Sequence, residues 1–353
     1  MLRRTFLALT LSQAGCVRKR KPALARAAEF LWKQQAADGG WHSHTYGLLR
    51  SGQSLTPFVL DALLRVPDSL CPAPAADVDR ALGFLRRQTR RDGALGVADP
   101  DIADYPNYAT ALAVSALCRA RRPGWQEQIQ PMVAWLRGQQ FTEQNGWSPR
   151  DPAYGAWGMG GERRTPPGTG HVDLSMTRHV LEALRAAGLP PSDPLFTAAR
   201  VYVSRCQNLD TEGDGGFFFT TTEFDTNKAG HDGRRFRSYG TATADGILAL
   251  LSTGCSLEDR RVAAARQWLA ARHHGADVPG FQGEAYRRWP RGLAFYYASV
   301  VAEAAPSAGN LIESLERAER PDGSWANPEM LVKEDDPLIA TPFAVRALAA
   351  AVS

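Results

Sequence analysis

The chain has 353 residues, 44% hydrophobic and 22% charged, which is enough apolar content to bury a large core in one or two domains. Its formal net charge of +4 is carried almost wholly by arginine, and basic residues do not interleave with aromatics on any one helix face, so no nucleic-acid partner is expected. Beyond Cys16, the cysteines Cys71, Cys118, Cys206 and Cys255 form no CxxC pair and read as free thiols buried in helices.

The N-terminus opens with Arg3-Arg4-Thr5-Phe6-Leu7, a short apolar run to Leu11, small residues and then Cys16. This resembles a twin-arginine export signal ending in a lipobox, with Gln13 where a leucine is usual. The resemblance implies an export signal over 1–16, lipidation at Cys16, a basic linker over 17–22, and an exported, periplasmic or membrane-anchored protein. Arg18-Lys19-Arg20-Lys21 opposes translocation, so a cytoplasmic chain with a basic N-terminus stays open. Later apolar helices are too short and too polar to cross a bilayer.

From residue 23 a single unit begins to recur. A helix over 23–35 runs into Asp38-Gly39-Gly40, where glycine adopts a left-handed cap without steric cost. Trp41 then offers a large ring with one N–H donor, suited to wedge beside a neighbouring helix while bonding a backbone carbonyl. Ser54 reads as the N-cap of an apolar helix over 55–66. The second copy has helices over 77–88 and 107–120 around Asp92-Gly93. The third has 126–140 and 173–187 around Asn145-Gly146-Trp147, and the fourth 194–207 and 239–252 around Asp214-Gly215-Gly216-Phe217. The fifth has 257–273 and 290–304 around Pro279-Gly280-Phe281, and the sixth 307–319 and 337–352 around Asp322-Gly323-Ser324-Trp325.

First helices carry charge on one side, whereas second helices such as 108–118 and 293–301 are apolar nearly all round and must be buried on every side. Six inner helices ringed by six outer ones satisfy both requirements if the ring closes. The expected fold is therefore all-α, a single α6/α6 toroid of six hairpins over 23–353.

The copies of Gln…Asp-Gly-Trp resemble the glutamine–tryptophan motif of the squalene–hopene cyclase and protein prenyltransferase superfamily (prenyltransferase/squalene oxidase repeats), whose members share this toroid. The resemblance is close in the first, third and sixth copies, weaker where Phe217 and Phe281 replace tryptophan, and weakest at Asp92-Gly93-Ala94-Leu95. It implies a fold; one such fold hosts several chemistries. The cyclases' Asp-x-Asp-Asp acid is approached by Glu334-Asp335-Asp336 and by Asp99-Pro100-Asp101 with Asp104, neither with the family's spacing, and helix capping is the plainer reading of both. The prenyltransferases' zinc ligands are missing, since Pro290, Gly292 and Ala340 stand at the matching positions, so neither a metal nor another cofactor is expected.

Location is the remaining guide. Loops entering the inner helices gather at one mouth of such a barrel, and two are long, 148–172 and 218–238. They supply the candidate ligand-binding residues Trp157, His171, Phe219, His231, Arg235 and, at the end of the second, Tyr239. Asp173, Asp335 and Asp336 are the candidate catalytic acids. Two functions stay open: a toroid holding an isoprenoid-like or polymeric ligand at its mouth, and an enzyme, either a divergent terpene cyclase or transferase or a polysaccharide-cleaving toroid, using an inner-helix aspartate as acid.

Overall fold

The computed structural model describes residues 21–99, 101–275, 277–305 and 309–352; the expected export signal with Cys16, and the linker as far as residue 20, lie outside the described residues. The described helices follow one another as hairpins: α1 (Ala23–Lys33) and α2 (Leu55–Leu63), α3 (Ala75–Gln88) and α4 (Pro106–Ala120), α5 (Trp125–Gln139) and α6 (Leu174–Ala186), α7 (Pro194–Arg205) and α8 (Gly240–Ser252), α9 (Arg260–Arg272) with the short α10 (Trp289–Gly292) and α11 (Ala294–Ala304), and α12 (Gly309–Ala318) with α13 (Pro337–Ala350). The fifth inner helix, expected unbroken over 290–304, is split at Leu293.

Inner helices pack in the order α2–α4–α6–α8–α11–α13, and α13 returns to α2, so the ring closes as an α6/α6 toroid. Every residue of α2 is buried, as is most of α4, α8 and α13. Outer helices bury one stripe only, in α3 Val78, Ala81, Leu82, Phe84 and Leu85. Among the described residues no helix is long and apolar enough to cross a membrane. Cys118 and Cys206 are buried free thiols, while Cys71 and Cys255 are free and half-buried.

The repeated turn does three jobs. Its glycine takes a positive φ (Gly39 +92°, Gly93 +90°, Gly155 +88°, Gly323 +86°) and touches the backbone of the next outer helix, where a Cβ would meet Arg80 O, Pro131 O, Ala198 O or Arg26 O at 2.4, 2.1, 1.9 or 2.9 Å. Its wedge residue donates its backbone N–H to a threonine Oγ1 on the following inner helix: Trp41 to Thr56 at 3.0 Å, Leu95 to Thr110 at 2.9 Å, Phe217 to Thr243 at 3.0 Å and Trp325 to Thr341 at 3.0 Å. The glutamine before it spans two hairpins, Gln35 Nε2 donating to Gly39 O and Asp77 O, Gln140 Nε2 to Gly155 O and Leu195 O, and Gln207 Nε2 to Gly215 O and Arg261 O. At the closure Glu319 instead accepts from the Arg26 guanidinium, tying the last hairpin to the first.

Two wedge assignments are corrected. In the third hairpin the wedge is Trp157, whose Nε1 donates to Leu136 O at 2.7 Å and whose N–H reaches Thr177 Oγ1 at 3.3 Å, matching Trp41 and Trp325. Trp147 is buried against Phe141 and donates to Arg164 O, pinning the long loop. The copy was masked because an insertion separates Gln140 from Gly155-Ala156-Trp157 and the usual aspartate is replaced by Tyr154. In the fifth, the buried residue after α9 is Val278, while Phe281 packs between Tyr239 and Trp289.

Truncating Trp157 to alanine should therefore cost on the order of 3–5 kcal/mol in denaturant unfolding. The isosteric Thr177→Val, which orphans the buried Trp157 N–H, should cost about 1–3 kcal/mol; unchanged midpoints for both would contradict the wedge assignment.

Candidate functional site

All inner-helix N-termini point to one end of the ring, and there a cavity of about 310 Å³ opens. First turns make its walls: Leu55 and Phe58 of α2, Tyr108 of α4, Ser175 and Met176 of α6, Tyr296 of α11, Ile339 and Phe343 of α13. Leu49, Met159, Phe219, Leu293 and Val332 complete a lining that is almost entirely hydrocarbon and ring.

The polar groups of this end are largely consumed by caps. Asp173 caps α6, its Oδ1 accepting the Met176 N–H at 2.7 Å and its Oδ2 bonding His171 Nε2 at 2.9 Å. His171 Nδ1 meets Glu223 at 2.9 Å, and the hydrogen bond to Asp173, with help from Glu223 and against the cost of burial, raises the imidazole to about 9. At neutral pH His171 is thus a cation between two carboxylates. Asp104 bonds the Ser54 N–H at 3.1 Å and accepts from the hydroxyls of Ser51 and Ser54; Ser54, expected to cap α2 through its own oxygen, is itself helical and donates.

The acidic run before α13 is divided among three tasks. Asp336 caps α13 through the Leu338 N–H at 2.9 Å, Asp335 accepts from the Tyr46 hydroxyl, and buried Glu334 caps the neighbouring α11 by accepting the Phe295 and Tyr296 N–H groups at 3.1 and 2.7 Å. Burial raises the Glu334 carboxyl to about 7 against those donors. Neither Asp335 nor Asp336 lines the cavity.

Beneath the cavity lies a polar septum. The Tyr296 hydroxyl donates to Asp245, 2.8 Å from each oxygen, and Arg178 Nε holds the same carboxylate at 3.0 Å. Burial raises Asp245 to about 6, opposed by Arg178 and Tyr296. The Tyr108 hydroxyl meets His179 Nε2 at 2.9 Å, while His179 Nδ1 lies 2.9 Å from Ser175 O; the carbonyl requires Nδ1 to be the donor, so Nε2 accepts. Burial and the neighbouring Arg178 hold His179 well below its ordinary value, hence neutral. On the far side, at the inner-helix C-termini, a polar cavity of about 610 Å³ is walled by Asp61, Arg65, Arg119, Glu303 and Arg346.

Two lysines stand at the apolar mouth. Lys333 Nζ is 3.3 Å from the Tyr105 hydroxyl and faces the rings of Tyr46 and Tyr105. Both Lys333 (φ +66°) and Tyr105 (φ +45°) hold left-handed backbone that side chains disfavour, strain that collects at working sites. Lys228 Nζ sits 3.0 Å from the centroid of Phe219, and burial lowers it to about 8.

Of the residues expected from sequence, His171, Asp173 and Phe219 meet in this cavity. Trp157 and Tyr239 are fully buried core. His231 lines a neighbouring groove of about 460 Å³ with Phe224, Tyr286 and Trp289, which shares His171, Phe219 and Lys228 with the cavity as a common wall. Arg235 pairs with Asp210 at 2.8 Å outside both. The expectation of one concavity for all of them is thus corrected: Arg235 is turned to Asp210 and Glu212 before its loop, while His171 joins the two loops through Glu223. Residues passed over, Phe58, Tyr108, Tyr296 and Phe343, share one signal, a bulky side chain in the first turns of an apolar helix. Among the described residues, no three His, Cys, Asp or Glu side chains are grouped to hold a metal ion.

No protein-family model matches the chain, and no characterised protein matches it in sequence. Solved structures do resemble it. The type II terpene cyclase MstE from Scytonema, in complex with geranylgeranyl dihydroxybenzoate, its substrate, superposes with a TM-score of 0.59 at 15% identity over 94% of this chain and 96% of that one. A D-mannose isomerase gives 0.61 at 12% identity over 94% and 96%, and an alpha-amylase from Clostridium perfringens 0.57 at 9% over 94% and 99%. At these identities the likeness shows the fold alone: the chain has the terpenoid-cyclase-like α/α toroid, a ring that also carries sugar chemistry.

Proposed function

We propose that this chain binds an elongated, isoprenoid-like molecule, its hydrocarbon part in the cavity and a polar, preferably anionic, end among His171, Lys228 and Lys333. The carrying observation is the lining: aromatic and aliphatic side chains from five inner helices around about 310 Å³, with the cationic groups confined to the mouth. Pockets of roughly 300–1,000 Å³ with such a division hold small amphipathic ligands. A sugar polymer would need polar groups along its whole length, whereas here they stand at the lip and floor of a mostly hydrocarbon and ring lining. The substrate named for the Scytonema cyclase, an isoprenoid chain on an acidic ring, divides its chemistry the same way.

The test compares farnesol with farnesoate by titration calorimetry. Both should bind, and Ile339→Trp, which fills the cavity, should weaken both at least about tenfold, the equivalent of 1.4 kcal/mol; farnesol binding unaffected by the block, or mannose binding in its place, would refute the reading. The pH dependence has a definite sign. His171 and Lys228 are cationic below about 9 and about 8, so the advantage of farnesoate over farnesol should be full near pH 7, where the ligand is ionised, and diminish as pH rises through 8 to 9. In the same window the raised His171 removes stability: its contribution is complete below the unfolded value of about 6.5 and lost through about 9.

A second reading, proton-transfer catalysis, rests on Asp245, an inner-helix carboxyl raised to about 6 directly behind the cavity-lining Tyr296. Deuterium entering a carbon-bound position of farnesol during incubation in heavy water, and lost in Tyr296→Phe, would support it; no exchange at carbon would remove it. Action outside the cytoplasm is likewise proposed from Arg3-Arg4 and Cys16 alone; recovery of the full-length chain only in the cytoplasmic fraction would count against it, while export lost on replacing both arginines by lysine would support it.

A further inference from the structure

Lysine is scarce in this chain: the sequence holds 5 lysines among 41 basic residues, the rest being arginine. Two of those five, Lys228 and Lys333, line one apolar cavity. If positive charge were all that the mouth required, arginine, the chain's ordinary choice, would serve; what lysine adds is an amine able to lose its proton and act as a nucleophile.

Lys228 is presented accordingly. Its neighbour Asn227 is buried and pinned, Oδ1 accepting the N–H groups of Phe219 and Thr220 at 3.0 and 3.1 Å and Nδ2 donating to Thr220 O at 3.1 Å. Ala229 is fully buried on the other side. The backbone is therefore fixed, and Nζ lies against the Phe219 ring in the wall between the cavity and the outer groove. Among the described residues no carboxylate lies within ion-pair distance of Nζ. The carboxylates that act on it, Asp173 and Asp245, are taken by His171 and by Arg178 with the Tyr296 hydroxyl. With those counter-ions engaged elsewhere and its solvent partly replaced by ring and hydrocarbon, the half-buried amine is held near 8, where a substantial fraction is neutral at mild alkaline pH.

We infer that Lys228 is a covalent capture site for an apolar aldehyde or ketone, its Nζ forming an imine with a carbonyl carried at the end of a hydrocarbon chain seated in the cavity. The Nζ lone pair attacks the carbonyl carbon and the C=O π bond opens to a carbinolamine. Oxygen then leaves as water with the two nitrogen-bound hydrogens, giving C=N. Nothing is oxidised or reduced and no co-reactant is needed. The apolar lining serves the product as well as the approach, since excluding water slows imine hydrolysis.

The inference rests on the cavity reading proposed above, and the experiment separates the two. Full-length protein is incubated with decanal and sodium cyanoborohydride across pH 6–9.5, and adducts are mapped by peptide mass spectrometry; decanol binding is measured in parallel by calorimetry. One dominant adduct is expected at Lys228, at least about tenfold over Lys33, rising in rate through pH 8, preserved in Lys333→Arg and absent in Lys228→Arg, which keeps the charge but forms no imine. Propanal, which has no chain to seat, should label the lysines without preference. If decanol binds and decanal labels Lys228 no faster than Lys33, the capture site is refuted while the cavity reading stands; if decanol does not bind either, both fall. Decanol binding by Lys228→Arg verifies that this variant is folded.

Discussion

The structure depends on a residue that must donate its backbone N–H sideways. After each tight glycine turn the chain plunges between hairpins, and the buried N–H of the wedge has no partner in its own hairpin's turn. A threonine Oγ1 on the following inner helix supplies it, from Thr56 to Thr341. A buried donor left unpaired costs as much as a core contact gains, so this bond fixes the depth and angle at which five of the inner helices enter the ring. The glutamine's two carbonyl bonds then set the spacing to the next outer helix.

Five hairpins repeat this geometry, the fifth of the six instead bonding Val278 N–H to Pro290 O, and the repetition aligns the inner helices, an alignment that decides the chemistry of the two ends. The N-terminal end carries aligned partial positive charge, and the chain answers with carboxylates: Asp173 and Asp336 on their own helices, Glu334 and Asp104 on neighbouring ones. Their oxygens being occupied, the acids leave the interior apolar. At the other end the partial charge is negative, and arginines collect there: Arg65, Arg119 and Arg346 surround Asp61 and hold its carboxyl well below the usual range. The two cavities differ as the two ends of a helix differ.

Between them, the septum of Tyr108, His179, Arg178, Asp245 and Tyr296 keeps the ring from being an open channel. Its charges are paired and bonded on several sides, a requirement for ionised groups at such depth. The septum gives the apolar cavity a polar floor, while His171, lodged between Asp173 and Glu223, gives it a polar lip. The volume between floor and lip is where a ligand's hydrocarbon belongs.

Much of this was legible in the residues. Alternation of one-sided and all-round apolar helices requires a closed double ring, because helices like Leu55–Leu63 have no face to give to water. The acids before α13 were readable as caps, since capping is a local matter of one carboxylate and the next turn's N–H groups. Trp157 and Val278 were hidden because an insertion or a substituted turn breaks the repeat's spacing while the three-dimensional position is kept. The cavity residues Phe58, Tyr108, Tyr296 and Phe343 were hidden for a deeper reason: on a helix buried all round, periodicity does not say which side faces a neighbour and which faces a void. Likewise Lys228 is one more charge in a loop until the fold seats it on Phe219 and gives its counter-ions Asp173 and Asp245 to His171 and Arg178. The sequence by itself determined the helices, their hairpins and the closure, all set by local propensity and burial. Only the tertiary structure decided which side chains meet across the ring, because that depends on helix rotation, which no single helix specifies.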